Sequence, residues 1–205
     1  MRPFIIYALP RSRTAWLARF LTYRDWTCHH EAALAMRSID DLIALARRPN
    51  TGAAETAASL AWRILHHHVP DLRAVVVRRP ADAVVEAMLR VDVAGVATYD
   101  RDKLRAGMAR GARALDEISA QPGVLAVDYA DLDREDACAA IFQHCLPYGF
   151  DRVWWGQWRS CNVQADVRSV LRYYHSNRAA VDGFKRTCWR EMRRLAYAGL
   201  IERRA

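Results

Sequence analysis

Phe4-Ile5-Ile6-Tyr7-Ala8-Leu9-Pro10-Arg11-Ser12-Arg13-Thr14-Ala15-Trp16-Leu17-Ala18-Arg19-Phe20-Leu21 is the stretch that decides the fold class. Residues 4–9 are a bulky apolar run with high strand propensity. Pro10-Arg11-Ser12-Arg13-Thr14 interrupts it. The large apolar residues then fall at 16, 17, 20 and 21, the spacing of one helix face. A strand that enters a helix through a short polar loop can gather backbone N–H groups onto one anion. Here the loop adds two guanidinium groups and two hydroxyls.

Outward from this unit, the pattern repeats. Residues 26–30 read as a short second strand. Ser38 is a helix N-cap with Asp40 and Asp41 in the first turn. Residues 47–52 read as a loop and 55–67 as a helix ended by Pro70. Leu72-Arg73-Ala74-Val75-Val76-Val77-Arg78 is a strand whose continuous β-branched run predicts a buried, parallel position. Pro80 opens a helix to about residue 91, and 100–120 is a long charged helix. Residues 124–129 form a further strand and 134–145 a further helix. This alternation predicts a three-layer α/β/α fold with a central parallel sheet. From residue 150 tryptophans and arginines crowd together, which predicts a helical C-terminal cap. The expectation is one domain over 1–205, with an α/β core at 1–149 and the extension at 150–205.

The chain has 205 residues, enough for a full core, and no run approaches the ~20 apolar residues of a membrane span. The first strand begins within a few residues of Met1, so no signal peptide is expected. Five cysteines without a CxxC pair predict reduced thiols and a cytoplasmic protein, and no metal site. Net charge is +8, and all but Lys103 and Lys185 of the 31 basic residues are arginine. Arginine is suited to phosphate and sulfate, so an anionic nucleotide or a nucleic acid fits the charge balance. Much of the arginine excess over lysine is also what a GC-rich coding sequence would write.

The loop is not a Walker A motif, which needs Gly-x-x-x-x-Gly-Lys-Ser/Thr, and neither lysine lies near it. Pro10, Arg11, Ser12, Thr14, Trp16 and Leu17 instead resemble the phosphosulfate loop of the sulfotransferase family. Arg13 stands where that family has glycine, and Ala15 where it has a second threonine. Arg13 therefore puts a β-carbon and a long cationic chain at the loop. A second segment, Arg78-Arg79-Pro80-Ala81-Asp82, resembles the family's strand-end Arg-Asn-Pro-x-Asp. The family's following serine position falls on Glu86. Val127-Asp128-Tyr129-Ala130-Asp131-Leu132 is a weaker match to a late strand and turn, and Gly183-Phe184-Lys185-Arg186 is a candidate for a late nucleotide loop.

The resemblance implies 3′-phosphoadenosine 5′-phosphosulfate as donor, held by Pro10, Arg11, Ser12, Arg13, Thr14 and Ala15 at one end. It implies a second contact at Arg78 and Glu86. Arg11 would stabilise charge on the leaving group. Sulfuryl transfer to a hydroxyl or amine also needs a base. The second strand should end beside the loop, which makes His30 or Glu31 the candidate, with Glu55 and Glu86 behind them. Consecutive side chains of a strand point to opposite faces, so His29 and His30 cannot both serve. His66-His67-His68 lacks an Asp, Glu or Cys partner set for a metal. The tryptophans at 154, 155 and 158 read as anchors of the cap or as a base-stacking platform. Two other readings stand beside sulfuryl transfer: a nucleotide-dependent phosphotransferase, for which Asp128 is the acidic strand-end candidate, and a non-catalytic binder of anions or nucleic acid.

Overall fold

A computed structural model describes residues 2–36, 38–92, 100–161 and 190. Among the described residues, five strands, β1 (Phe4–Ala8), β2 (Thr27–His30), β3 (Thr51–Glu55), β4 (Arg73–Arg78) and β5 (Leu125–Asp128), form one sheet in the order β2-β3-β1-β4-β5. Each of these pairings is parallel. Among the same residues, seven α-helices join and cover the strands: α1 (Thr14–Phe20), α2 (Ile39–Ala46), α3 (Trp62–His68), α4 (Ala81–Asp92), α5 (Arg101–Ser119), α6 (Glu135–Cys145) and α7 (Arg152–Arg159). The expected α/β class with a central parallel sheet is present.

Strand alternation sorts the core into two halves. Phe4, Ile6 and Ala8 pack on one face with α1, α6 and Trp155 of α7. Ile5, Tyr7 and Leu9 pack on the other with α2, α3, α4 and α5. Val75 and Val77 of β4 face the α1 side, and Ala74 and Val76 face away. Both faces of β1 are therefore covered, which is why its sequence is apolar throughout and not alternating. Each buried Ile or Val contributes roughly 1.5–3 kcal/mol.

One strand departs from the expectation. Residues 47–52 read as loop and 55–67 as helix, yet Thr51–Glu55 is β3, next to β1. The helical part begins later, with a 3₁₀ turn at Ala58–Ala61 and α3 from Trp62. Thr51-Gly52-Ala53-Ala54-Glu55 carries little of the β-branched bulk that marks a strand. Its smallness is a packing requirement. A Cβ at Gly52 would lie 2.1 Å from Cζ of Phe4, so the Phe4 ring occupies the place of a side chain.

Capping matches the sequence signals. Ser38 and Asp41 form a reciprocal capping box at the start of α2. Asp100 accepts from the Asp102 and Lys103 amides, both at 3.1 Å. The tryptophans of α7 are anchors. Trp154 Nε1 donates to the Phe20 carbonyl, and Trp16 Nε1 donates to the Trp158 carbonyl, each at 2.8 Å. The cap beyond residue 161, including Lys185 and its neighbours apart from residue 190, lies outside the described residues. No described helix is long and apolar enough to cross a membrane.

Candidate functional site at the carboxyl edge of the sheet

The chain leaves β1 toward the α1 face, whereas it leaves both neighbours, β3 and β4, toward the opposite face. Diverging connections open a crevice at the carboxyl ends of parallel strands, the usual place for ligands in open α/β sheets. The loop at residues 9–13 sits at this point.

Its backbone is unusual. Arg11 has φ 63° and Arg13 φ 61°, both in the left-handed region that favours glycine. Left-handed residues of this kind occur in the backbone nests that bind anions. No side chain caps the first turn of α1, where Thr14 and Ala15 begin the helix. Ser12 is fully buried, and its Oγ has no hydrogen-bond partner among the described residues. A buried hydroxyl without a partner costs about 1–3 kcal/mol, a cost that a ligand oxygen would offset.

The left-handed loop forms without glycine, and neighbouring segments hold its arginines. Arg13 Nη1 donates to Asp133 Oδ1 at 2.6 Å, and its guanidinium lies 5.8 Å from the Tyr129 ring centre. Arg79 covers the same ring at 4.2 Å and donates to the Arg11 carbonyl. Tyr129 thus supports two cations, a contact worth about 0.5–2 kcal/mol for each. The side chain of Arg13 is accordingly drawn toward the segment after β5. Tyr129 and Asp133 had no functional place in the sequence reading, and their position directly after a strand end is the signal that marks them.

Thr14 Oγ1 lies 3.1 Å from His30 Nε2. β2 is not beside β1, as expected from sequence, because β3 intervenes; α1 crosses over and closes the gap. His30 pairs with Ala54, whose side chain packs in the α1-side core, so His30 points toward α1. Burial, and then the charge of Arg19, lower its pKa. Its ring is therefore neutral at pH 7 and competent to accept a proton.

Glu31 follows in a left-handed conformation, with Oε1 4.0 Å from His30 Nε2 and Oε2 accepting from Thr56 Oγ1 at 2.9 Å. Burial pushes its carboxyl up to about 7 against the lowering effect of Thr56. Glu55, at the end of β3 and fully buried, accepts from the Ala33 amide at both oxygens, 3.2 and 3.3 Å. Burial, and then the Glu31 charge, hold it well above the usual carboxylate range.

Pro10, Arg11, Ser12, Arg13, Thr14, Ala15, His30 and Glu31 thus share one end of the sheet. Arg78 ends β4 nearby, but its Nε donates to Asp128 Oδ1 at 3.1 Å. Glu86 lies on the exposed surface of α4 and accepts from Arg101 at 3.0 Å. His66, of the histidine triplet, lies tilted against the Tyr7 ring and edge-on to Trp62. No cluster of three or more metal-ligating side chains occurs among the described residues. No protein-family model matches the chain, and no curated protein matches its sequence.

Proposed function

We propose that the carboxyl edge binds the phosphosulfate end of 3′-phosphoadenosine 5′-phosphosulfate and directs sulfuryl transfer to a hydroxyl or amine acceptor. The observation that carries this reading is the loop itself: two left-handed arginines bracket a buried, unpartnered Ser12 hydroxyl. That orphaned hydroxyl, between the left-handed residues of a nest-like loop, fits an anion of phosphate or sulfate geometry.

When bound, the donor supplies a sulfuryl group on a phosphate leaving group. The chain's own residues have separable tasks. The amides of the loop and Ser12 Oγ hold the oxygens, and the Arg11 guanidinium answers the charge that grows on the leaving group. Thr14 Oγ1 fixes the imidazole of His30 at 3.1 Å. His30, neutral at pH 7, takes the acceptor's proton. Farther along the edge, a 3′-phosphate would replace Asp128 as partner of Arg78. The Arg78–Asp128 pair is half exposed and is readily exchanged.

A second reading, a nucleotide-dependent phosphotransferase, takes Asp128 at the end of β5 as the strand-end acid that holds Mg²⁺. The test is transfer of radiolabelled sulfate from the donor to a panel of phenols, sugars and amines, with ATP and Mg²⁺ in parallel. Labelled product that depends on Arg11 and His30 supports sulfuryl transfer. Metal-dependent ATP turnover without sulfate transfer favours the second reading.

A further inference from the structure

The charge of Arg13 is already answered from inside the chain, whereas the hydroxyl beside it is not. Arg13 stands just before α1, and its Nη1 donates to Asp133 Oδ1 at 2.6 Å. The neighbouring Ser12 is fully buried, and its Oγ has no partner among the described residues. Asp133 is the last residue of the 3₁₀ turn Tyr129–Asp133 that follows β5. The same turn carries Tyr129, whose ring lies under Arg13 and Arg79.

The backbone of this turn is anchored, and the Asp133 carboxylate is not. Leu132 is 1% exposed and packs in the core with α6, and its carbonyl accepts from Cys138 Sγ at 3.3 Å. The Arg134 amide donates to the Asp131 carbonyl at 2.9 Å and closes the turn. The Asp133 side chain, in contrast, is 67% exposed. A carboxylate so placed can leave its arginine for water at little cost, without any change in the turn. The Tyr129 ring attracts the guanidinium without neutralising it, so Arg13 keeps its charge and its support after Asp133 lets go.

We propose that Asp133 is a built-in competitor for the anion site of the loop. In the ligand-free chain its carboxylate occupies Arg13. A phosphate- or sulfate-type anion that binds the loop takes Arg13 from it, and Asp133 turns to solvent. The competitor weakens the hold on any anion at the loop. It thereby keeps small free anions from filling a site meant for a larger ligand, which adds contacts elsewhere along the edge. The proposal deepens the phosphosulfate reading of the same loop, but it requires only that an anion bind there.

The experiment is calorimetric titration of the full chain with inorganic pyrophosphate in metal-free buffer. An ionic strength of about 0.1 M screens charges more than ~10 Å away. Asp133→Asn should tighten binding about three- to fivefold. Asp131→Asn is the control. It removes the same charge from the same turn, but Asp131 pairs with Arg134 at 3.6 Å and not with the loop. That variant should stay within about twofold of the parent. In an Arg13→Gln chain the gain from Asp133→Asn should vanish. Equal gains in Asp131→Asn and Asp133→Asn would overturn the proposal, since the turn would then act only as a diffuse negative field. A gain that persists without Arg13 would also overturn it, as would weaker binding in Asp133→Asn or no pyrophosphate binding to any folded variant. Amide spectra report folding, and the comparison of Asp131 with Asp133 stands even if Arg13→Gln does not fold. The same gain for pyrophosphate, in chains that bind no 3′-phosphoadenosine 5′-phosphate, would uphold the competitor and sink the phosphosulfate reading.

Discussion

The two sides of the sheet solve the same electrostatic problem in opposite ways at the carboxyl edge. Around the loop, arginines are held by exposed or half-buried partners: Asp133 for Arg13, Asp128 for Arg78, the Tyr129 ring for Arg13 and Arg79. At Glu31 and Glu55 the carboxyl groups are buried, and beyond His30 they face neutral donors, the Thr56 hydroxyl and the Ala33 amide. Partners in water are exchangeable, so the loop can trade them for a ligand. Partners in the interior are not, so the carboxyl pair is set by protonation and responds to pH.

The largest effect expected from this contrast is on stability against pH. The Glu31 carboxyl is raised in the folded chain, from about 4.5 to about 7. A raised carboxyl favours the folded state below the unfolded value, and that contribution is lost as pH rises through the folded value. The loss should amount to on the order of 3 kcal/mol between about pH 4.5 and pH 7. Chemical denaturation of the parent protein and of Glu31→Gln across this window should give a difference curve with that slope. A flat difference curve would mean that Glu31 ionises normally and that the contrast between the two sides is false.

A smaller effect is expected at Tyr129. Tyr129→Leu removes the ring beneath two guanidinium groups and should lower unfolding free energy by about 1–2 kcal/mol. Anion affinity should fall with it, because Arg79 also steadies the Arg11 carbonyl. Equal stability in Tyr129→Leu, measured by urea unfolding, would show that the left-handed loop does not depend on this support.

The smallest effect is expected at Asp133. Its pair with Arg13 is largely exposed, so Asp133→Asn should change stability by less than about 1 kcal/mol. Inorganic pyrophosphate should bind a few-fold more tightly to that variant, most visibly at low salt. A large stability loss would place Asp133 among the structural supports of the loop.

Much of this edge was legible in the sequence. The first strand, loop and helix declared themselves because β1 is buried on both faces and must be apolar throughout, while the loop must be polar. β4 was legible for the same reason. β3 was not, since Gly52 and its alanines are small to admit the Phe4 ring, and smallness resembles a loop. Missing β3 put β2 beside β1 and left Glu55 inside a helix. The pairing of His30 with Thr14 was nevertheless within reach, because α1 spans the intervening strand. What Arg13 does was not legible, because its partners lie 116 and 120 residues away in the chain, at Tyr129 and Asp133. Glu86 was expected at the nucleotide, yet the partner it has is Arg101, a surface pair that no local pattern announces.

The most direct test of the nucleotide site is calorimetric titration of the parent protein and of Arg11→Ala with 3′-phosphoadenosine 5′-phosphate, with ATP and Mg²⁺ as comparison. The account predicts micromolar binding of the first ligand to the parent, weakened about 10- to 100-fold in a folded Arg11→Ala. Equal binding by the two proteins, or no binding to a folded parent, would contradict it.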